Sequence, residues 1–214
     1  MCSVLLLTES PPCGRRPDQA SCKVELCVHS TNILDAVHLI RLGARAGLVS
    51  QVTRLEKTTV NRLYRQVCGM PSPSGQMPFT DGWYRESDLR MLHATLAWKL
   101  YRRLVLTKRT SARVLIDVYH AYLQLVPEAL LDLTRTVSVF RLVAMKLWHE
   151  RTCKFCGTDY LSPVDSNGIA CPGCRLYHRH RCHQCAAPIE AQPKGRRRVV
   201  CGSCGNTDNG GIRH

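Results

Sequence analysis

Hydrophobic positions recur at helical spacing through most of the first 150 residues. Ile33, Val37, Ile40 and Ala44 fall three or four apart, which predicts a helix over 32–47. Asn32 can cap its start, and Gly47 marks its end. Residues 48–55 can form a short helix. Thr58 or Thr59 can then cap another, in which Val60, Leu63, Tyr64 and Val67 share one face and Cys68 and Gly69 close it. The opposite face carries Asn61, Arg62, Arg65 and Gln66. Pro71, Pro73 and Pro78 exclude a helix from the loop over 70–82. Longer helices are predicted over 88–106, 111–126 and 128–149, with Ser87 and Ser111 as caps and Pro127 as the break between the last two. Leu133, Val137, Phe140, Ala144 and Leu147 form the apolar stripe of the final helix. This part shows neither an internal repeat nor strand alternation.

The pattern changes at both ends. Residues 1–31 lack periodicity and read as a loose extension. From 152 onward the chain is short in large aliphatics and rich in Cys, Gly, Arg and His. Such a segment cannot build a hydrophobic core and needs another means of support. The expected fold class is mainly α. A helical DNA- or partner-binding domain over 32–150 is followed by a zinc ribbon over 151–176 and a second four-cysteine module over 177–214.

Eight of the thirteen cysteines stand in four Cys-x-x-Cys pairs. A two-residue gap lets both sulfurs of a pair reach one ion. Cys153, Cys156, Cys171 and Cys174 make the first set, and Cys182, Cys185, Cys201 and Cys204 the second. The inner gaps are 14 and 15 residues, which suggests two tandem zinc ribbons, each on its own four thiolates. A cross-brace, with the first and third pairs sharing one ion, has compatible spacing. His178, His180 and His183 could substitute as ligands, but eight cysteines already satisfy two ions. Four protein ligands leave no open position for water or substrate, so the expected cofactor is two structural zinc ions per chain. Paired thiols in a βαβ context would read as redox chemistry; that context is missing.

Composition then narrows the partners. Apolar residues make up 44% and charged residues 21%, a globular balance. Aromatics are only 6%, which disfavours stacking on single strands. The formal net charge is +14, and residues 151–214 hold ten basic side chains against four acids. A polyanionic partner follows from such an excess. The short helix, turn and capped helix over 48–68 have the layout of a helix-turn-helix, and Asn61, Arg62, Arg65 and Gln66 can read base edges or hold phosphates. Lys194, Arg196, Arg197 and Arg198, between the pairs of the second set, suit phosphate contacts. The sequence carries no Gly-rich phosphate loop, nucleophile elbow or His-rich metal helix, so no enzyme is expected. Val4 to Leu7 is too short for a secretory signal, and no run approaches the roughly 20 apolar residues of a membrane span. A cytoplasmic location with no membrane partner is expected.

Several segments carry a more specific likeness. They are Ile40 to Arg45, Asn61 to Arg65, the loop Pro71 to Thr80 with Met77, Pro78 and Phe79, Ala121 to Leu123, and Leu133 to Arg135 running on to Arg141, Leu142 and Val143. In this order the chain resembles the FlhC family, the C subunit of the bacterial flagellar master transcription activator, from about residue 32 to 174. The resemblance implies a complex of four FlhD-type and two FlhC-type subunits. That complex binds double-stranded promoter DNA of flagellar operons and activates RNA polymerase. It also assigns the family's zinc cysteines to Cys153, Cys156, Cys171 and Cys174. The first thirty residues and the second cysteine set lie outside it, so a divergent paralogue acting on other promoters is an alternative. Other readings are a stand-alone zinc-ribbon nucleic-acid binder, a nuclease with a ribbon accessory, and a pure protein-interaction module.

Overall fold

The computed structural model describes residues 24–73, 80–107, 109–179, 181–187, 189 and 199–205. The fold is mainly α, with two cysteine modules in its C-terminal region. The chain divides into two compact units, Met1–Met77 with Leu100–Val137, and Pro78–Lys99 with Ser138–His214.

In the first unit, helix α1 (Val24–Arg41) packs against α2 (Ala46–Thr53), α3 (Lys57–Cys68) and α6 (Ser111–Leu125). Leu39, Ile40, Leu48, Val49, Val60, Ile116, Val118 and Tyr122 are buried in this unit. The ends of α1 differ from expectation. Asn32 lies inside the helix, not at its cap, and the helical backbone reaches back to Val24. The other end is set by Gly43, not Gly47. Gly43 has φ +82°, its N–H donates to Ile40 O at 2.9 Å, and Ala44 N–H donates to Leu39 O at 2.9 Å. These two bonds satisfy the last carbonyls of the helix, and glycine takes the left-handed residue without a Cβ clash.

The connection from α2 to α3 is three residues, with Arg54 left-handed at φ 58° and Ser50 Oγ donating to Leu55 O at 2.7 Å. Neither Thr58 nor Thr59 caps α3, because the helix starts earlier, after Glu56. Gly69 ends it as expected, donating its N–H to Arg65 O. Tyr64 Oη donates to Ala44 O at 2.6 Å and fixes α3 against the end of α1. Thr110, not Ser111, caps α6 by accepting from Arg113 N–H.

In the second unit, α4 (Gly82–Arg85), which the periodicity did not predict, precedes α5 (Asp88–Leu104), whose residues from Leu100 onward belong to the first unit. Ser87 Oγ accepts from Leu89 N–H at 3.2 Å and serves as the expected cap of α5. Helix α7 (Leu133–Ala144), which enters the second unit at Ser138, is shorter than the predicted 128–149. Asp132 starts it by accepting from Arg135 N–H at 2.6 Å. Lys146, left-handed at φ 59°, stops it, with Leu147 N–H donating to Leu142 O at 3.0 Å. No glycine or proline announces that stop. The chain then enters β1 (Trp148–Thr152), which pairs antiparallel with β2 (Asp159–Pro163) in the register Trp148 to Pro163 and Thr152 to Asp159. Trp148 is fully buried, donates Nε1–H to Asp81 Oδ2 at 2.9 Å and packs edge-on against Tyr84. Leu161 N–H donates to Thr95 Oγ1 at 3.2 Å, tying β2 to α5. The hairpin carries the first cysteine pair at its tip, and α8 (Pro172–His178) carries the second.

Candidate metal centres and nucleic-acid face

Cys153 follows the last residue of β1, and the turn from Cys153 to Thr158 folds back so that Cys153 N–H donates to Thr158 O at 3.0 Å. Gly157, at φ +67°, lets its own N–H reach Cys153 O at 3.0 Å. Cys171 opens α8, where Pro172 takes the first helical position and needs no N–H partner. Its Sγ accepts from Cys174 N–H at 3.3 Å, and Cys153 Sγ accepts from Cys171 N–H at 3.2 Å. Cys153 and Cys171 are buried with Tyr160.

The sulfurs meet as the corners of one small polyhedron. Cys153 Sγ lies 3.8 Å from Cys174 Sγ, and Cys156 Sγ lies 3.7 Å from Cys171 Sγ. A tetrahedron with metal–sulfur bonds of ~2.3 Å has edges of about 3.8 Å, so the donor set fits a tetrahedral dication. The thiols are unequal. Burial pushes Cys153 up, but the N–H groups of Cys171, Cys156 and Phe155 outweigh it and hold the thiol down at about 6. Burial and the three neighbouring thiols push Cys174 well up, and burial raises Cys171. Four such groups cannot ionise together unless a cation joins them.

The second set repeats this construction. Cys182 N–H donates to Ala187 O at 2.8 Å, Ala186 N–H to Cys182 O at 2.9 Å, and Gly205 N–H to Cys201 O at 2.8 Å. These match, one for one, the bonds Cys153 N–H to Thr158 O, Gly157 N–H to Cys153 O and Arg175 N–H to Cys171 O at 3.0 Å. The left-handed residue here is Ala186 at φ 58°. Cys185 Sγ lies 3.5 Å from Cys201 Sγ, and the four sulfurs lie within 4.8 Å of one another. Backbone N–H groups of Cys185, Cys201 and Gln184 hold Cys182 at about 6, while the neighbouring thiols push Cys204 up to about 12. Support is thinner than at the first set, since α9 (Gly202–Gly205) buries no residue. Each centre therefore gathers two consecutive pairs, and both can hold a metal ion. His178 and His183 belong to neither group; their rings lie 5.7 Å apart. His180 lies outside the described residues.

On α3, the packing of Val60 and Tyr64 against α1 leaves Asn61, Arg62, Arg65 and Gln66 exposed together. Lys57 and Thr58 are exposed on the same helix. The predicted start at Thr58 or Thr59 left Lys57 out, although Lys57, Asn61 and Arg65 stand four apart and share a line on the surface. Lys194, Arg196, Arg197 and Arg198 lie outside the described residues. Among the described residues no helix is long and apolar enough to cross a membrane.

Comparison with known proteins gives one consistent answer. Residues 23–199 match the family described as Flagellar transcriptional activator (FlhC). The flagellar transcriptional regulator FlhC of Sodalis glossinidius (strain morsitans) is 30% identical over 139 residues, covering 62% of this chain and 70% of its own length. The proteins of the same name from Xenorhabdus nematophila and Serratia marcescens are 27% and 28% identical, each covering 65% of this chain and 76% of their own. The match reaches beyond the expected limits of 32 and 174 and takes in α1 from its start together with Cys182 and Cys185. The chain belongs to the FlhC family, a family of flagellar transcriptional regulators and not of enzymes.

Proposed function

We propose that this chain is the DNA-binding subunit of a cytoplasmic transcription activator that recognises promoter DNA of flagellar operons. In this reading it acts with a FlhD-type helical dimer, four such subunits to two of this chain, and recruits RNA polymerase. The observation that carries the reading is the exposed polar face of α3, set behind a three-residue turn, in a chain of a transcriptional-regulator family. A helix so placed can enter the major groove with its first turns toward base edges. Lys57, Asn61 and Arg65 run along it, with Arg62 and Gln66 beside them. Asparagine and glutamine suit adenine edges, and arginine suits guanine.

Zinc is the ion that best suits two sets of four thiolates. Cys153, Cys156, Cys171 and Cys174 would hold one ion, and Cys182, Cys185, Cys201 and Cys204 the other. Each ion cross-links a segment that has few apolar residues, so its contribution is to folding. The basic run Lys194, Arg196, Arg197 and Arg198 would contact phosphates.

Co-purification with a FlhD-type dimer, followed by footprinting on flagellar promoter duplexes, tests the reading. Protection of a defined sequence supports it, and equal protection of scrambled duplex overturns it. A divergent regulator acting on promoters outside the flagellar operons is the second reading. Footprinting across non-flagellar promoters separates the two.

A further inference from the structure

A cavity of about 250 Å3 lies beside the segment that joins the two cysteine centres. Arg175, His178, Arg179 and His183 line it together with Phe155, Val199, Cys174 and one acid, Asp88, whose carboxylate is taken up by Arg175. A water occupies roughly 30 Å3, so the space admits a phosphate group with its waters. The described residues between 171 and 205 include Arg175, Arg179 and Arg181 and no acid. Arg175 is held in place from one side. Its Nε donates to Asp88 Oδ1 at 2.7 Å and its Nη1 to Ala170 O at 3.1 Å, which uses two of five N–H donors. Arg179 is exposed, and its side chain makes no hydrogen bond or ion pair among the described residues. A fixed guanidinium loses little freedom when an anion arrives.

These arginines have a competing explanation. A loaded four-thiolate zinc centre carries a net −2, and nearby cations could serve to neutralise it. The contacts favour the cavity. Arg175 donates to Asp88 and Ala170, and Arg181 Nη1 donates to Ala186 O at 3.1 Å; neither donates to a cysteine sulfur, nor does Arg179. The sulfurs of Cys153 and Cys171 take backbone N–H groups.

We propose that this cavity receives a phosphodiester group of the DNA backbone, with Arg175 as a fixed fork and Arg179 as its second ligand. The proposal rests on the DNA-binding reading above and adds a phosphate contact that lies away from α3.

The test uses the zinc-loaded full chain, promoter and scrambled duplexes, and a salt series. Arg179→Ala should weaken both duplexes alike and lower the slope of log affinity against log salt by about one unit. Arg179→Lys should restore the slope, and bound zinc should stay unchanged in both variants. Inorganic phosphate, added at constant ionic strength, should weaken duplex binding by wild type more than by Arg179→Ala. Unchanged slope and affinity in Arg179→Ala, with normal wild-type binding, overturns the cavity and leaves the DNA reading standing. Loss of zinc with an unchanged slope overturns it in favour of charge neutralisation. Tight phosphate binding that duplex cannot displace makes the ligand a free anion and overturns the DNA source. Wild type that binds no duplex sinks both readings.

Discussion

Gly157 and Ala186 occupy the same turn in the two centres and differ by one methyl group on a left-handed backbone. A Cβ there costs roughly 1–2 kcal/mol. Ala186→Gly should therefore tighten metal retention at the second centre, and Gly157→Ala should loosen it at the first. Each change should be about 1 kcal/mol, or roughly fivefold, in chelator competition. Equal retention in both variants and wild type would show that the turn is not held by the ion. Such positions explain part of what the sequence hides. Cysteine spacing fixes which residues can share an ion, and the four pairs were legible on that ground alone. The choice between consecutive and crossed pairs depends on how the segments fold back, and spacing does not carry it. Lys146 at the end of α7 is a plainer case, a left-handed lysine where the signals for a helix stop are glycine and proline.

Among the elements, the hairpin β1–β2 and helix α8 make the first centre sturdier than the second. Cys153 and Cys171 are buried with Tyr160, whereas only Cys182 of the second set is buried. A chelator titration should strip two ions in two phases, the second centre first. Cys201→Ser should remove the fast phase and Cys171→Ser the slow one; a single phase in wild type would contradict this difference in support. Proton release gives a separate check at the first centre. Near pH 7 Cys153, at about 6, is largely ionised, and Cys156 is also held down by its bonds to Thr158. Cys171 and Cys174, both pushed up by burial, still hold their protons. Metal binding at that centre should release fewer than four protons, and affinity should fall as pH falls, because protons compete for the same sulfurs. Calorimetry of a Cys182→Ser, Cys185→Ser variant in buffers of different ionisation heat measures the count; a release near four would mean ordinary, unshifted thiols.

The helices were legible from apolar spacing because a buried stripe needs the period of 3.6. The strands were not, since five residues each, with Trp148 following a helical stripe, leave too little alternation to detect. Trp148 takes its place from Asp81 and Tyr84, residues more than sixty positions away, which no local pattern reports.

For the molecule as a whole, charge and metal act together. The formal charge of +14 counts every cysteine as neutral. Zinc at both centres, each then at −2, would bring it to +10, so a zinc-bound chain would remain strongly basic. In the proposed DNA-binding role, that charge would give general affinity for DNA, and α3 would supply the preference among sequences. Alanine at Arg196, Arg197 and Arg198 should weaken all duplexes alike, since a run of like charges offers no fixed geometry for base edges. The most direct test of the account is the binding of Arg62→Ala and Arg65→Ala, in complex with the FlhD-type partner, to promoter and scrambled duplexes at several salt concentrations. The account predicts losses of ~1–3 kcal/mol on the promoter with a smaller change on scrambled DNA. Wild-type affinity for both duplexes in both variants would contradict it and assign the exposed face of α3 to something other than DNA.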